Sequence, residues 1–95
     1  MKTVAMKYYV NIKGQLVVTV LDSGAAISII TEKLMKKLGL RIDKDSKTIV
    51  VTANRARKKA LGIITNAKIT FQNIAISIDL QVINLKDKTL LLGTD

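Results

Sequence analysis

The chain has 95 residues, enough for one domain and not two. Hydrophobic residues make up 48% of it, which argues for a packed core over disorder, yet aromatics supply only 3%, so that core is built from Ile, Leu, Val and Ala. Cysteine and histidine are absent, which excludes disulfides, thiolate nucleophiles, the usual zinc ligands and imidazole triads, while 16 basic against 7 acidic residues leave a net charge of +9 that suits an acidic partner or surface.

Taken in chain order, TVAMKYYVNI (3–12) and QLVVTVL (15–21) read as strands joined by a two-residue turn at Lys13-Gly14. AAISII (25–30) reads as a short buried strand. Thr31 then stands where an N-cap is needed for a helix over EKLMKKLGL (32–40), with Ile30, Leu34, Met35 and Leu38 on one face and Lys33, Lys36 and Lys37 away from it. Glu32 can pair with Lys36, and Gly39 stops the helix. KTIVVTAN (47–54) is another strand, followed by the basic cluster RARKK (55–59). ALGIITNAKITF (60–71) reads as a long strand, Gln72-Asn73 as a turn, and IAISIDLQV (74–82) as an alternating strand with Ile76, Ile78, Leu80 and Val82 on one face. NLKDK (84–88) is a loop and TLLLGTD (89–95) a final buried strand. Six to eight short strands and one helix predict an all-β, barrel-like fold. No apolar run approaches the roughly 18 residues of a membrane span, and the first ten residues lack the apolar segment of a signal peptide. With no cysteine to suggest an oxidising compartment, these features point to an intracellular protein and to no membrane partner.

The chemistry concentrates at Asp22. Five apolar or β-branched residues, Val17 to Leu21, run straight into this carboxylate, and Ser23 and Gly24 follow it. A charge between two buried runs is costly unless it is paired, hydrogen-bonded or used. One reading is a turn aspartate bonded to its own backbone. The other is catalysis without histidine, cysteine or metal. Two carboxylates in contact cannot both ionise, so they share a proton. The ionised member takes a proton from water while the protonated member donates to a scissile carbonyl. Only one Asp-Ser-Gly occurs here, so such a dyad needs a second chain across a two-fold axis. Ser23 fits a supporting hydrogen bond better than a Ser-Lys nucleophile or a plain turn serine. Gly24 lets backbone amides approach the carboxylate.

Val20-Leu21-Asp22-Ser23-Gly24-Ala25, a helix ending KKLGL, the strand ALGIITNAKITF and Leu91-Leu92-Gly93 together resemble the retroviral-type, or retropepsin-like, aspartic proteases. That family includes retrotransposon polyprotein proteases and the protease-like domain of ubiquitin-shuttle proteins. The order and spacing agree across nearly the whole chain. The resemblance implies a closed acid-protease barrel with one lobe per chain, acting as a homodimer on peptide or polyprotein substrates. Asp22 is then the catalytic residue, with Ser23, Gly24 and Ala25 shaping its loop and Leu91, Leu92 and Gly93 bracing it. Water is the nucleophile, and no metal or organic cofactor is required. A flap, the hairpin that folds over substrate, is implied at Ala53, Asn54, Arg55, Ala56, Arg57, Lys58, Lys59 and Ala60.

Two departures from the family pattern stand out. Flap tips in the family carry glycines, and this one reads ANRARKKA. The family also continues past Leu-Leu-Gly into a helix and a terminal strand, whereas this sequence stops at Asp95. The expectation is a single domain over 1–95 without that segment, either excised from a longer polyprotein or dimerising differently. Two rivals remain in the residues: a non-catalytic domain of the same fold that serves dimerisation or peptide binding, and a small basic β domain that binds nucleic acid. Against the second, no aromatic lies near RARKK to stack a base. Asp43, Asp45 and Asp87 read as inert loop residues and Asp79 as a solvated strand residue.

Overall fold

A computed structural model describes residues 5–52 and 54–93. In chain order the elements are β1 (Ala5–Ile12), β2 (Gln15–Asp22), β3 (Ser28–Thr31), α1 (Glu32–Leu38), β4 (Ile49–Val51), β5 (Arg57–Lys59), β6 (Gly62–Phe71), β7 (Ile74–Ile83) and β8 (Leu90–Leu92). Six of the strands close into a barrel in the order β1-β2-β8-β3-β7-β6, and β4 and β5 form a separate two-stranded arm. This is the expected all-β class, with one short helix and one lobe. The helix is too short to cross a membrane, and among the described residues no helix is long and apolar enough to do so.

Two tight hairpins set the barrel register. At the first, Lys13 (φ 53°) and Gly14 (φ 78°) both take positive φ, as a type I′ turn requires, and Asn11 Oδ1 accepts the Gly14 N–H at 2.9 Å. Gln72 (φ 48°) and Asn73 (φ 68°) repeat the device between β6 and β7. The interior is filled by Val10, Ile12, Val17, Ile30, Ile64, Ala67, Ile69, Leu80, Val82, Leu90 and Leu92, all buried. The helix lays Leu34, Met35 and Leu38 onto this core and keeps Lys33, Lys36 and Lys37 outside, as its spacing predicts. Its last turn is closed by Gly39 in the left-handed region (φ 74°), and Lys36 lies 3.6 Å from Glu32.

Some details differ from the sequence reading, several of them through a partner distant in the chain. Thr31 occupies the N-cap position but makes no side-chain cap bond. Its Oγ1 instead accepts the Thr89 N–H at 3.0 Å. Ala25 and Ala26 lie outside the strand expected there, which begins only at Ser28. The strand over 60–71 is broken by a bulge between Ile64 and Ala67, where Asn66 has φ 53° and gives its N–H to Asp79 Oδ1 at 2.9 Å. Asp43 is not inert either. Its carboxylate accepts both the N–H and the hydroxyl of Thr65, at 2.9 to 3.2 Å, and ties the loop after α1 to β6. The apolar face of β7 fades toward its start: Leu80 and Val82 are fully buried, whereas Ile74 and Ile76 are exposed.

Candidate active site

β2 ends at Asp22, and β8 runs parallel beside its last residues, with Val20 opposite Leu91 and Leu21 opposite Leu92. The other edge of β8 pairs antiparallel with β3, Ile29 opposite Leu91 and Ile30 opposite Leu90. The chain therefore leaves the sheet at Asp22, turns through Ser23, Gly24 and Ala25, and re-enters it on the far side of β8. A short strand from the end of the sequence is wedged between the two segments that carry the Asp-Ser-Gly turn.

The turn is held from within and from below. Gly24 N–H donates to Asp22 Oδ1 at 2.9 Å, and Ala25 N–H donates to the Asp22 carbonyl at 3.1 Å. The half-buried Asp22 carboxylate is thus fixed by its own backbone, the geometry of an Asx turn. Beneath it, Gly93 passes so close that a Cβ there would stand 2.6 Å from the carbonyl oxygens of both Ala25 and Ile27. Only a residue without a side chain fits. Gly93 N–H donates to Ser28 Oγ at 3.1 Å, which locks β8 to the exit of the turn.

Two more hydroxyls secure β8. Thr19 Oγ1 donates to the Leu90 carbonyl at 3.0 Å, and Thr31 exchanges bonds with Thr89, its N–H to the Thr89 carbonyl and its Oγ1 from the Thr89 N–H, each 3.0 Å. Thr19, Ser28 and Thr31 are the buried polar side chains among the described residues, and each is hydrogen-bonded. The sequence reading passed over Thr19 and Ser28 and gave Thr31 the role of a helix cap. The signal of the first two was there: single hydroxyl residues inside otherwise apolar runs, VVTVL and AISII.

Beside the turn lies a hollow of about 200 Å³ lined by Met6, Tyr8, Leu21, Asp22, Ser23, Leu92 and Gly93. Met6 and Leu21 are cross-strand partners, and both remain exposed, at 52% and 36%. An apolar surface thus adjoins the carboxylate.

The expected flap is a hairpin. β4 and β5 pair as Ile49–Lys59, Val50–Lys58 and Val51–Arg57, and its turn spans 52–56. Arg57, Lys58 and Lys59 are therefore strand residues rather than tip, Ala60 is buried at the base of the arm, and Ala53 lies outside the described residues. Where glycines are expected, Arg55 takes a left-handed φ of 65°. Thr52 and Asn54 hold the turn: Thr52 Oγ1 donates to Asn54 Oδ1 at 2.5 Å, and Thr52 N–H to the Ala56 carbonyl at 2.9 Å.

The sequence profile of the family described as "gag-polyprotein putative aspartyl protease" matches residues 8–95. The chain belongs to that family. Asp22, the β4–β5 hairpin and β8 all fall within the matched span of this protease family. No curated protein matches the sequence. Among solved structures, the fold is similar to the retroviral protease-like domain of Ddi1 from Leishmania major, at a TM-score of 0.74 and 24% identity, covering 94% of this chain and 71% of that one. It is also similar to a retropepsin-like aspartic protease from Rickettsia conorii, at a TM-score of 0.64 and 22% identity, covering 99% and 84%. At these identities the two structures establish the retropepsin-like fold.

Proposed function

We propose that the chain is one subunit of a homodimeric aspartic endopeptidase in which Asp22 of each copy contributes one carboxylate to a shared catalytic pair. The observation that carries this reading is the turn itself. A half-buried carboxylate stands at the end of β2, oriented by the Gly24 N–H and braced by Gly93, inside a family of aspartic proteases. The exposed Met6 and Leu21 beside it supply an apolar rim that a second copy would cover. In such a pair one proton is held between the two carboxylates. The ionised one removes a proton from water as the water attacks the peptide carbonyl, and the protonated one donates to the carbonyl oxygen. The substrate is an extended peptide lying under the β4–β5 arm.

The test is peptide hydrolysis by the wild type and by Asp22→Asn, with and without a transition-state inhibitor of aspartic proteases. The amide is close in shape to the carboxylate but cannot take a proton from water, so hydrolysis should fall at least about 10³-fold, as expected on removing a member of a catalytic group that acts as a unit. The thermal midpoint should stay close to that of the wild type. Specific activity should also fall on dilution, because each site needs two chains. Hydrolysis by Asp22→Asn at the wild-type rate defeats the proposal. A wild type that dimerises and binds peptide without cleaving it is a non-catalytic member of the fold.

A further inference from the structure

A second hollow, of about 660 Å³, lies between the β4–β5 arm and the loop that leads into β8. Its wall carries Lys33 from α1, Lys58 from β5 and Lys86 from the β8 loop, with Ala56 and Leu85 as apolar surface and Asp87 as the one acid. Three lysines from three separate elements thus line one cavity. Asp87 is already engaged, since its Oδ2 accepts the Thr89 hydroxyl at 2.7 Å. The ion pair seen among the described residues, Lys36–Glu32, leaves these lysines unneutralised. The arm's cations also divide by face. Lys58 is half-buried and lines the cavity, whereas its neighbours Arg57 and Lys59 point to the other face of β5 and are exposed.

On the reading that this chain is an endopeptidase, we infer that this cavity is a specificity subsite for an acidic side chain of the substrate peptide. Its position fits. Asp87 is five positions before Leu92, the residue paired with Leu21 next to Asp22, and five residues span at most about 18 Å. The strand-pair spacing from Leu92 to Leu21 and one residue step to Asp22 add about 9 Å. An extended peptide covers that total in about eight residues, so the acid lies within about eight positions of the cleaved bond. A carboxylate entering the cavity meets three positive groups, and its methylenes meet Ala56 and Leu85. Nucleic acid is the weaker occupant, because no aromatic ring lines the cavity to stack a base.

Two measurements test this on the intact chain. The first is binding, by fluorescence anisotropy, of matched labelled ten-residue peptides that carry Glu or Gln, and of a single-stranded oligonucleotide. The second is cleavage of a degenerate peptide library. The variants are K33S/K58S/K86S and, as a control for the outward face, R57S/K59S. The Glu peptide should bind the wild type about fivefold more tightly than the Gln peptide, the scale of one or two partly exposed ion pairs. That preference should vanish in the triple variant and at 1 M salt, where the Debye length is about 3 Å, and survive in the control. Cleaved library members should be enriched in Asp or Glu within about eight positions of the bond. Equal binding of the two peptides, or a preference lost in R57S/K59S and kept in the triple variant, overturns the inference. So does an oligonucleotide that outcompetes the Glu peptide and depends on the same three lysines. A Glu preference with no library cleavage upholds the subsite and instead removes the endopeptidase reading.

Discussion

The Asp22 turn and the β4–β5 arm are both irregular excursions from the same barrel, yet they are held in opposite ways. Besides its own Gly24 and Ala25 N–H bonds, the turn is fastened from outside itself, by Gly93, Ser28, Thr19 and Thr31, to a strand 71 residues away. The arm is fastened mainly to itself. Its three pairings join only its own two strands, its turn is tied by Thr52 and Asn54, and Ile49 and Val51 stand 51% and 61% exposed on its outer face. It meets the barrel near its base, where Leu61 N–H reaches the Val82 carbonyl and Ser46 Oγ donates to Gln81 Oε1 at 2.6 Å. On the proposed reading, a rigid seat for the reacting group and a thinly attached cover are what a site needs if a peptide must enter from the side. Local stability follows buried contacts, and the two regions are built at opposite ends of that scale.

The contrast is sharpened most by Gly93→Ala. A methyl 2.6 Å from two carbonyl oxygens cannot be absorbed without moving the Asp22 turn, so urea denaturation should show a loss on the order of 3 kcal/mol and hydrolysis should collapse. Unchanged stability would mean that the turn is not seated on β8. Next in size is Ser28→Ala, which leaves the Gly93 N–H without its buried acceptor. It should cost about 1–3 kcal/mol and lower activity even though the variant residue never touches substrate. Smallest are changes in the arm. Val51→Ser should shift global stability by less than about 0.5 kcal/mol. Arg55→Gly should be nearly neutral, because relief of a left-handed φ worth about 1 kcal/mol is offset by the greater freedom of glycine when unfolded. An arm substitution as costly as Ser28→Ala would erase the distinction between the two regions.

What could be read from the sequence was whatever depends on neighbours in the chain. Lys13-Gly14 and Gln72-Asn73 announce their turns because positive φ selects those residues locally. The helix is legible from its apolar stripe and from Gly39. Asp-Ser-Gly with Leu-Leu-Gly marks the site because both ends of the wedge carry a recognisable triplet. What stayed hidden depends on partners far away. Thr31 has the residue type and place of a cap, yet Thr89 takes its hydroxyl. Asp43 and Asp79 look like solvated acids until β6 is folded against them, one to hold Thr65 and the other to pin the Asn66 bulge. The basic cluster read as one tip. Strand pairing instead splits it by face and, of its cations, assigns Lys58 to the cavity.

The wedging of β8 between β2 and β3 also fixes an order of events. Asp22 belongs to the first quarter of the sequence, but the strand that seats it, and the glycine that its loop closes over, come at 90–93. At about 5–20 residues added per second, roughly 4–14 s of synthesis separate Asp22 from its brace. Loop closure over such a separation costs little more than over half of it, about 0.6 kcal/mol per doubling, so timing rather than entropy is the consequence. Within that interval the hairpin at 13–14, and later the one at 72–73 once β7 has been made, can form from local contacts, while the Asp22 turn has no β8 beneath it. A growing chain thus acquires much of its scaffold before the strand that seats the Asp22 carboxylate has been made.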